Sequence, residues 1–253
     1  MSIDPELERR SKLMTHIRAG LLHSTKLLRR MLRNQSFKAH SRTHTDFYRA
    51  VMASNARRDP DAAIGSDSRK HWLKVGEMQF SYLLKHGLRP DHRILDIGCG
   101  NLRAGWRLIQ YLDSGNYYGV DISPDILLAA LKELRDQRLQ HKYPHLVLVN
   151  DLKFEFVPDE SFDVIHAHSV FTHTRVDAIE QCFASAARLL KPSGFFDLTY
   201  LEGDKFSLND EDFCYPRETL LEIAASHNFD ATYMSDWDYS TYMQHKLRLR
   251  RRA

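Results

Sequence analysis

Thirteen residues, Arg93-Ile94-Leu95-Asp96-Ile97-Gly98-Cys99-Gly100-Asn101-Leu102-Arg103-Ala104-Gly105, constrain the fold more than any other part of the chain. They begin as an apolar run that is too short for a buried helix and rich in branched side chains, which predicts a strand. Two glycines one residue apart break the run, and Trp106 to Leu112 resumes with apolar positions at helical spacing. Strand, glycine turn and helix make the first unit of a nucleotide-binding α/β sheet. Glycine permits the sharp turn and leaves no Cβ in a ligand's way. The helix N-terminus offers unpaired N–H groups to an anion.

The carboxylate of Asp96 narrows the ligand. It stands two residues before the first glycine, where a pyrophosphate would meet repulsion and a ligand carrying an amino group and a sulfonium cation would not. About twenty residues on, Tyr117-Tyr118-Gly119-Val120-Asp121-Ile122-Ser123 predicts a second strand ending in an acid able to accept ribose hydroxyls. With Leu95-Asp96-Ile97-Gly98-Cys99-Gly100 and Gly119-Val120-Asp121-Ile122-Ser123 in place, the chain resembles the class I S-adenosylmethionine-dependent methyltransferases. The resemblance implies a doubly wound α/β fold, with a mostly parallel seven-stranded sheet and an antiparallel last strand. It implies S-adenosylmethionine as cofactor, held by Asp96, Gly98, Cys99, Gly100, Asp121 and Ile122. Many members carry a third glycine where this chain has Leu102, so Gly105 is read as relieving crowding between helix and sheet.

Two later segments extend the resemblance. Phe162-Asp163-Val164-Ile165-His166-Ala167-His168 followed by Val170-Phe171-Thr172-His173 is similar to the family's fourth strand and the segment past its end. Lys191-Pro192-Ser193-Gly194 is similar to the turn before its fifth strand. The resemblance puts His168 and Ser169 at the cofactor's methionine end, and Asp151 and Leu152, past a third strand over residues 146–151, beside adenine. A plain strand-end turn capped by Asp151 is the other reading of that pair. Helices are expected over 69–86, 126–139, 176–190 and 216–227, and residues 231–237 and 243–250 form a closing hairpin. Arg69, Lys70 and Lys74 are candidates to meet the methionine carboxylate, or are surface charge. The acidic run Asn209-Asp210-Glu211-Asp212 reads as a solvated loop or as a lid over the acceptor.

Residues 54–68 are polar and turn-rich, which sets the expected boundary between a basic helical N-terminal extension (1–68) and the methyltransferase domain (69–253). Residues 1–50 carry eleven Lys/Arg against four Asp/Glu, a net +7, so the remainder is −4. A weakly acidic body with basic ends argues against a nucleic-acid partner, which would draw positive charge over one face. A helix over about 5–35 has a basic amphipathic face that suits a membrane surface or packing on protein, homodimer contact included. Packing is preferred, because Gly20 and His23 interrupt the apolar stripe. Three scattered cysteines form no metal knuckle or disulfide framework, and the N-terminus has no secretory pattern, so the expected compartment is the cytosol.

A sulfonium methyl is already activated, so such a protein must mainly align the acceptor and exclude water. A hydroxyl acceptor also needs a base, and histidine is the usual one near neutral pH. His173, past the strand end, is therefore the catalytic candidate, as base or acceptor orienter; a structural hydrogen bond closing its loop is the competing reading. No metal site is expected, since the strand histidines lack a supporting carboxylate. No Asp/Asn-Pro-Pro-Tyr/Phe follows the fourth strand, which leaves a hydroxyl of a small metabolite, sugar or lipid ahead of amines and carboxylates. The alternative is a catalytically silent cofactor-binding fold that docks a partner or membrane. A nicotinamide oxidoreductase is disfavoured by Asp96.

Overall fold

The computed structural model describes residues 28–209, 211–238, 240 and 243–252. The chain divides into two compact units, Met1–Val51 and Met52–Ala253. In the first, helix α1 occupies 28–40 and α2 (His44–Ala56) begins. Thr43 and Asp46 start α2 by a reciprocal cap: the Asp46 N–H donates to Thr43 Oγ1 (3.1 Å) and the Thr43 N–H to Asp46 Oδ2 (3.2 Å). Of the amphipathic helix expected over 5–35, the part up to residue 27 lies outside the described residues. No described helix is long and apolar enough to cross a membrane.

The second unit runs α3 (Pro60–Ala63), α4 (Arg69–Lys85), β1 (Ile94–Ile97), α5 (Gly105–Tyr111), β2 (Tyr117–Asp121), α6 (Pro124–Asp136), β3 (His145–Leu148), β4 (Phe162–Ala167) and α7 (Val176–Leu189). It continues through β5 (Leu190–Glu202), β6 (Ser207–Asn209), β7 (Asp212–Tyr215), α8 (Arg217–Ser226), β8 (Phe229–Tyr233) and β9 (His245–Arg251). Local chemistry sets the ends. Ser123 caps α6 with Pro124 at its first position. Gly87, at φ +97°, ends α4 while the Leu88 N–H bonds back to the Leu83 carbonyl.

The main layer is seven strands in the order β3-β2-β1-β4-β5-β9-β8. Strands β1 to β5 are parallel within it, and β9 is antiparallel to both neighbours. The expected seven-stranded sheet is thus present, and two further strands stand outside it. β6 and β7 form a hairpin whose β7 pairs Leu201 and Glu202, past the end of β4. Asn209 and Asp212, in the run read as an acidic loop, pair with each other at the end of this hairpin. The turn expected at Lys191–Gly194 differs too. β5 starts at Leu190, directly after α7, and these residues bulge from the strand where the register jumps between Phe162↔Leu190 and Val164↔Phe195.

Helices cover both faces of the sheet. Leu83, Leu108, Ala130, Leu134 and Val164 belong to one apolar cluster, and Ile165, Phe183, Phe196, Ile223 and Leu247 to the other. One row across the first face is polar, with Asp96, His166, Asp197 and Arg248 in direct register on β1, β4, β5 and β9. Arg248 grips Asp197 with two bonds, Nε to Oδ1 at 2.7 Å and Nη2 to Oδ2 at 2.8 Å. Lys246 Nζ stands 3.6 Å from Asp197 Oδ2, over the rings of Tyr82 and Trp237. Burial alone would raise the Asp197 carboxyl, yet the Lys246 charge and the Arg248 bonds hold it below the ordinary range.

Candidate active site

The strand order reverses direction between β1 and β4, the position at which open α/β sheets bind ligands beyond their strand C-termini. The glycine turn lies there. Gly98 and Gly100 hold left-handed φ of +66° and +57°, and the N–H groups of Gly98 and Cys99 both bond the Val120 carbonyl (2.8 and 3.0 Å). The Gly100 N–H donates to Asp121 Oδ2 (3.1 Å) and the Ser123 N–H to Asp121 Oδ1 (2.9 Å), so the second acid is tied to the turn by backbone. A Cβ on Gly98 would stand 2.5 Å from Val170 Cγ2. Gly98→Ala should therefore lose about 1–2 kcal/mol to its φ plus a clash with Val170. Adding Val170→Ala should return the clash component and not the φ component, read as two steps in thermal melting.

Leu102 is left-handed as well, at φ +64°, where a glycine would pass without cost, and its side chain is fully buried. Core packing holds this residue in its strained conformation. Gly105 relieves crowding as expected, since a Cβ there would approach Tyr117 Oη to 2.5 Å.

Asp96 and Asp121 are both buried, and among the described residues neither has a cationic side chain within ion-pair reach. Burial pushes the Asp96 carboxyl up to about 7, against the bond from the Tyr117 hydroxyl (2.6 Å) and the charge of Arg103. Burial pushes Asp121 up to about 6, against bonds from the Ser123, Gly100 and Ile122 N–H groups. Two buried acids with no cationic side chain in direct contact suit a ligand that brings its own positive charge. This arrangement fits a sulfonium donor with an ammonium group.

Beyond β4, Ser169 is left-handed at φ +59°. Its N–H bonds Thr199 Oγ1 (2.9 Å) and its hydroxyl accepts from Gln244 Nε2 (2.6 Å). The rings of His166 and His168 stack 6.4 Å apart on one face of the strand, as their alternation predicts. Burial lowers His166 to about 3 and His168 well below its ordinary value, so both rings are neutral at physiological pH. Among the described residues no cluster of His, Cys, Asp or Glu could hold a metal ion.

The comparisons with known proteins agree with this geometry. A family described as a methyltransferase domain matches residues 95–196. An uncharacterised methyltransferase of Schizosaccharomyces pombe is 28% identical over 180 residues, 67% of this chain and 62% of the relative. A highly reducing polyketide synthase of Penicillium polonicum is 25% identical over 198 residues, 78% of this chain and 7% of the synthase. The chain therefore spans less than two thirds of either curated relative. The magnesium protoporphyrin IX methyltransferase of Synechocystis PCC 6803, solved with bound S-adenosylmethionine, superposes with a TM-score of 0.65 at 15% identity, over 83% of this chain and 98% of that one. The match to a methyltransferase domain thus covers β1 to β5, and the fold is shared with the Synechocystis enzyme.

The remaining site candidates, Cys99 within the glycine turn and the others beyond it, differ in their engagement. Cys99 is buried, with Sγ 3.7 Å from the Gly100 carbonyl. Ile122 packs on the apolar cluster of the second face. Asp151 is exposed and caps the Lys153 N–H (3.0 Å), and the Leu152 N–H donates to Gln181 Oε1 (3.0 Å). His173 Nδ1 lies 3.0 Å from Asp212 Oδ1.

Several residues at the turn escaped the sequence reading. Tyr117 leans over Gly119, whose absent side chain makes room for it, to reach Asp96. Asn101 bonds both Trp72 Nε1 (2.9 Å) and Asp61 (2.6 Å), and Arg103 Nη1 donates to the Ile64 carbonyl (2.8 Å). The polar segment 54–68 thus lies in the second unit and backs the glycine turn. Arg69 stacks on Trp72 and pairs with Glu133 (2.7 Å). The one available signal was Gly76 inside a helix: a Cβ there would overlap the Arg103 carbonyl at 2.0 Å.

Proposed function

We propose that this methyltransferase transfers the methyl group of S-adenosylmethionine to a hydroxyl of a small metabolite, sugar or lipid. The observation that carries the reading is the pair of buried acids at the glycine turn, Asp96 and Asp121, neither with a cationic side chain in contact among the described residues. In this reading Asp96 meets the donor's ammonium group, Asp121 its ribose hydroxyls, and Gly98, Cys99 and Gly100 give the backbone room for it. Ile122 follows Asp121 at the cofactor, Asp151 and Leu152 flank the adenine, and His168 and Ser169 line the methionine end. When bound, the donor supplies an activated methyl group. The chain's own work is to align the acceptor, exclude water and take up a proton, for which His173 is the base.

The names of the relatives share no acceptor, so the acceptor class rests on the site. Phe206 and Leu208 expose apolar surface at the β6–β7 hairpin, which suits an acceptor with an apolar body. Titration calorimetry tests the donor: S-adenosylhomocysteine should release heat with one site per chain, and NAD should not. Heat from NAD, or none from S-adenosylhomocysteine, removes the reading. Labelled methyl transfer over a panel of hydroxylated compounds then separates an active enzyme from a silent binder.

A further inference from the structure

The β6–β7 hairpin is bonded to the segment that follows β4. The Phe213 N–H donates to the Thr172 carbonyl (2.7 Å) and the Tyr215 hydroxyl to the Thr174 carbonyl (2.7 Å). Between those two ties sits His173. Its Nδ1 lies 3.0 Å from Asp212 Oδ1 and 3.1 Å from the Glu211 carbonyl oxygen. A carboxylate and a carbonyl only accept hydrogen bonds, so Nδ1 must carry the proton. The lone pair of the neutral ring is then on Nε2.

We propose that Asp212 is a positioning residue for His173, fixing its tautomer and ring orientation from an insert outside the seven-stranded sheet. The inference rests on the reading of His173 as the acceptor base. In the reaction, Nε2 takes the hydroxyl proton as the acceptor oxygen forms its bond to the methyl carbon. The carbon–sulfur bond breaks, its electron pair stays on sulfur, and the sulfonium becomes a neutral thioether. The positive charge moves to the imidazolium, beside the Asp212 carboxylate. A carboxylate in this role holds the productive tautomer and stabilises the charged ring. The side chains are 24% and 49% exposed, so water competes and the effect is smaller than in a buried dyad.

The test uses the full chain saturated with S-adenosylhomocysteine, with the His173 tautomer read from ring nitrogen NMR shifts. Turnover is followed with labelled donor on the best alcohol or phenol of a fixed panel. Wild type should have Nδ1 protonated and Nε2 unprotonated. Asp212→Asn should mix the tautomers and lower kcat about ten- to a hundredfold, leaving the donor KM and melting temperature unchanged. Asp212→Glu should restore part of that loss, which a purely structural tie would not predict. A wild-type ring protonated on Nε2 overturns the proposal. So does full turnover in Asp212→Asn when His173→Ala is impaired, an outcome that leaves His173 standing as the base. Full turnover in His173→Ala removes the base and this proposal together.

Discussion

Asp197→Ala is expected to destabilise the fold by about 3–5 kcal/mol, because it strands two buried cations at once. Asp197 and Lys246 have no exposed side-chain surface, and Arg248 has 8%. Removing the carboxylate leaves the Arg248 guanidinium without its two bonds and Lys246 without its nearest counter-charge. Lys246 can shed its proton at moderate cost, since burial already lowers its pKa. Arg248 cannot, and it must stay charged in the interior. Arg248→Met should cost less, because Lys246 remains to balance Asp197 and the methionine fills much of the vacated volume. In a protein of this size the larger loss corresponds to roughly 6–20 °C in melting temperature. Urea denaturation of the two variants decides the point: equal losses, or a loss under about 1 kcal/mol for Asp197→Ala, would contradict this account of the row.

The same row marks where the sequence stops being readable. The strand, glycine turn and helix around Asp96 are local, each following from neighbours within a few residues, and their order carried the sheet with it. By contrast, Lys246-Leu247-Arg248-Leu249-Arg250 reads as part of the closing hairpin, and nothing local in it says which of its faces turns inward. The structure pairs that strand with β5, so that Lys246 and Arg248 are buried while Arg250 stays near the surface. Alternation told which side chains share a face. Only the pairing of residues fifty positions apart told that the charged face was the inner one. The β6–β7 hairpin was illegible for a related reason. Its strands span three and four residues, below what a periodicity can mark, and they exist because the end of β5 offers them an edge. The bonds of Asn101 and Arg103 to residues 61–66 were hidden in the same way, in a stretch whose polarity reads as a linker.

Asp96→Asn is expected to weaken donor binding by about 2–5 kcal/mol at pH 8, the range for removing one member of a buried charge pair, and to raise the stability of the ligand-free protein. Both effects follow from the buried position of the acid. Its folded-state pKa, about 7, lies above the unfolded value of 3.8, so the native ligand-free state holds its proton more tightly than the unfolded one. The stability of the free protein therefore declines as pH rises between those values and levels off above about 7. A donor ammonium beside the carboxylate favours the ionised form, so binding must expel the proton at low pH and need not at high pH. S-adenosylhomocysteine, which keeps the ammonium and lacks the sulfonium, isolates this contribution. Its affinity should rise about tenfold or more between pH 5.5 and 8, approaching one decade per pH unit below 7 and flattening above. In Asp96→Asn the part of that rise due to this carboxyl should vanish, leaving only the weaker slope from Asp121, whose pKa is about 6. Calorimetry across that pH range reads the difference directly. A wild-type affinity that does not change with pH would mean that Asp96 keeps its proton with the ligand bound, and the ammonium would have to be held elsewhere.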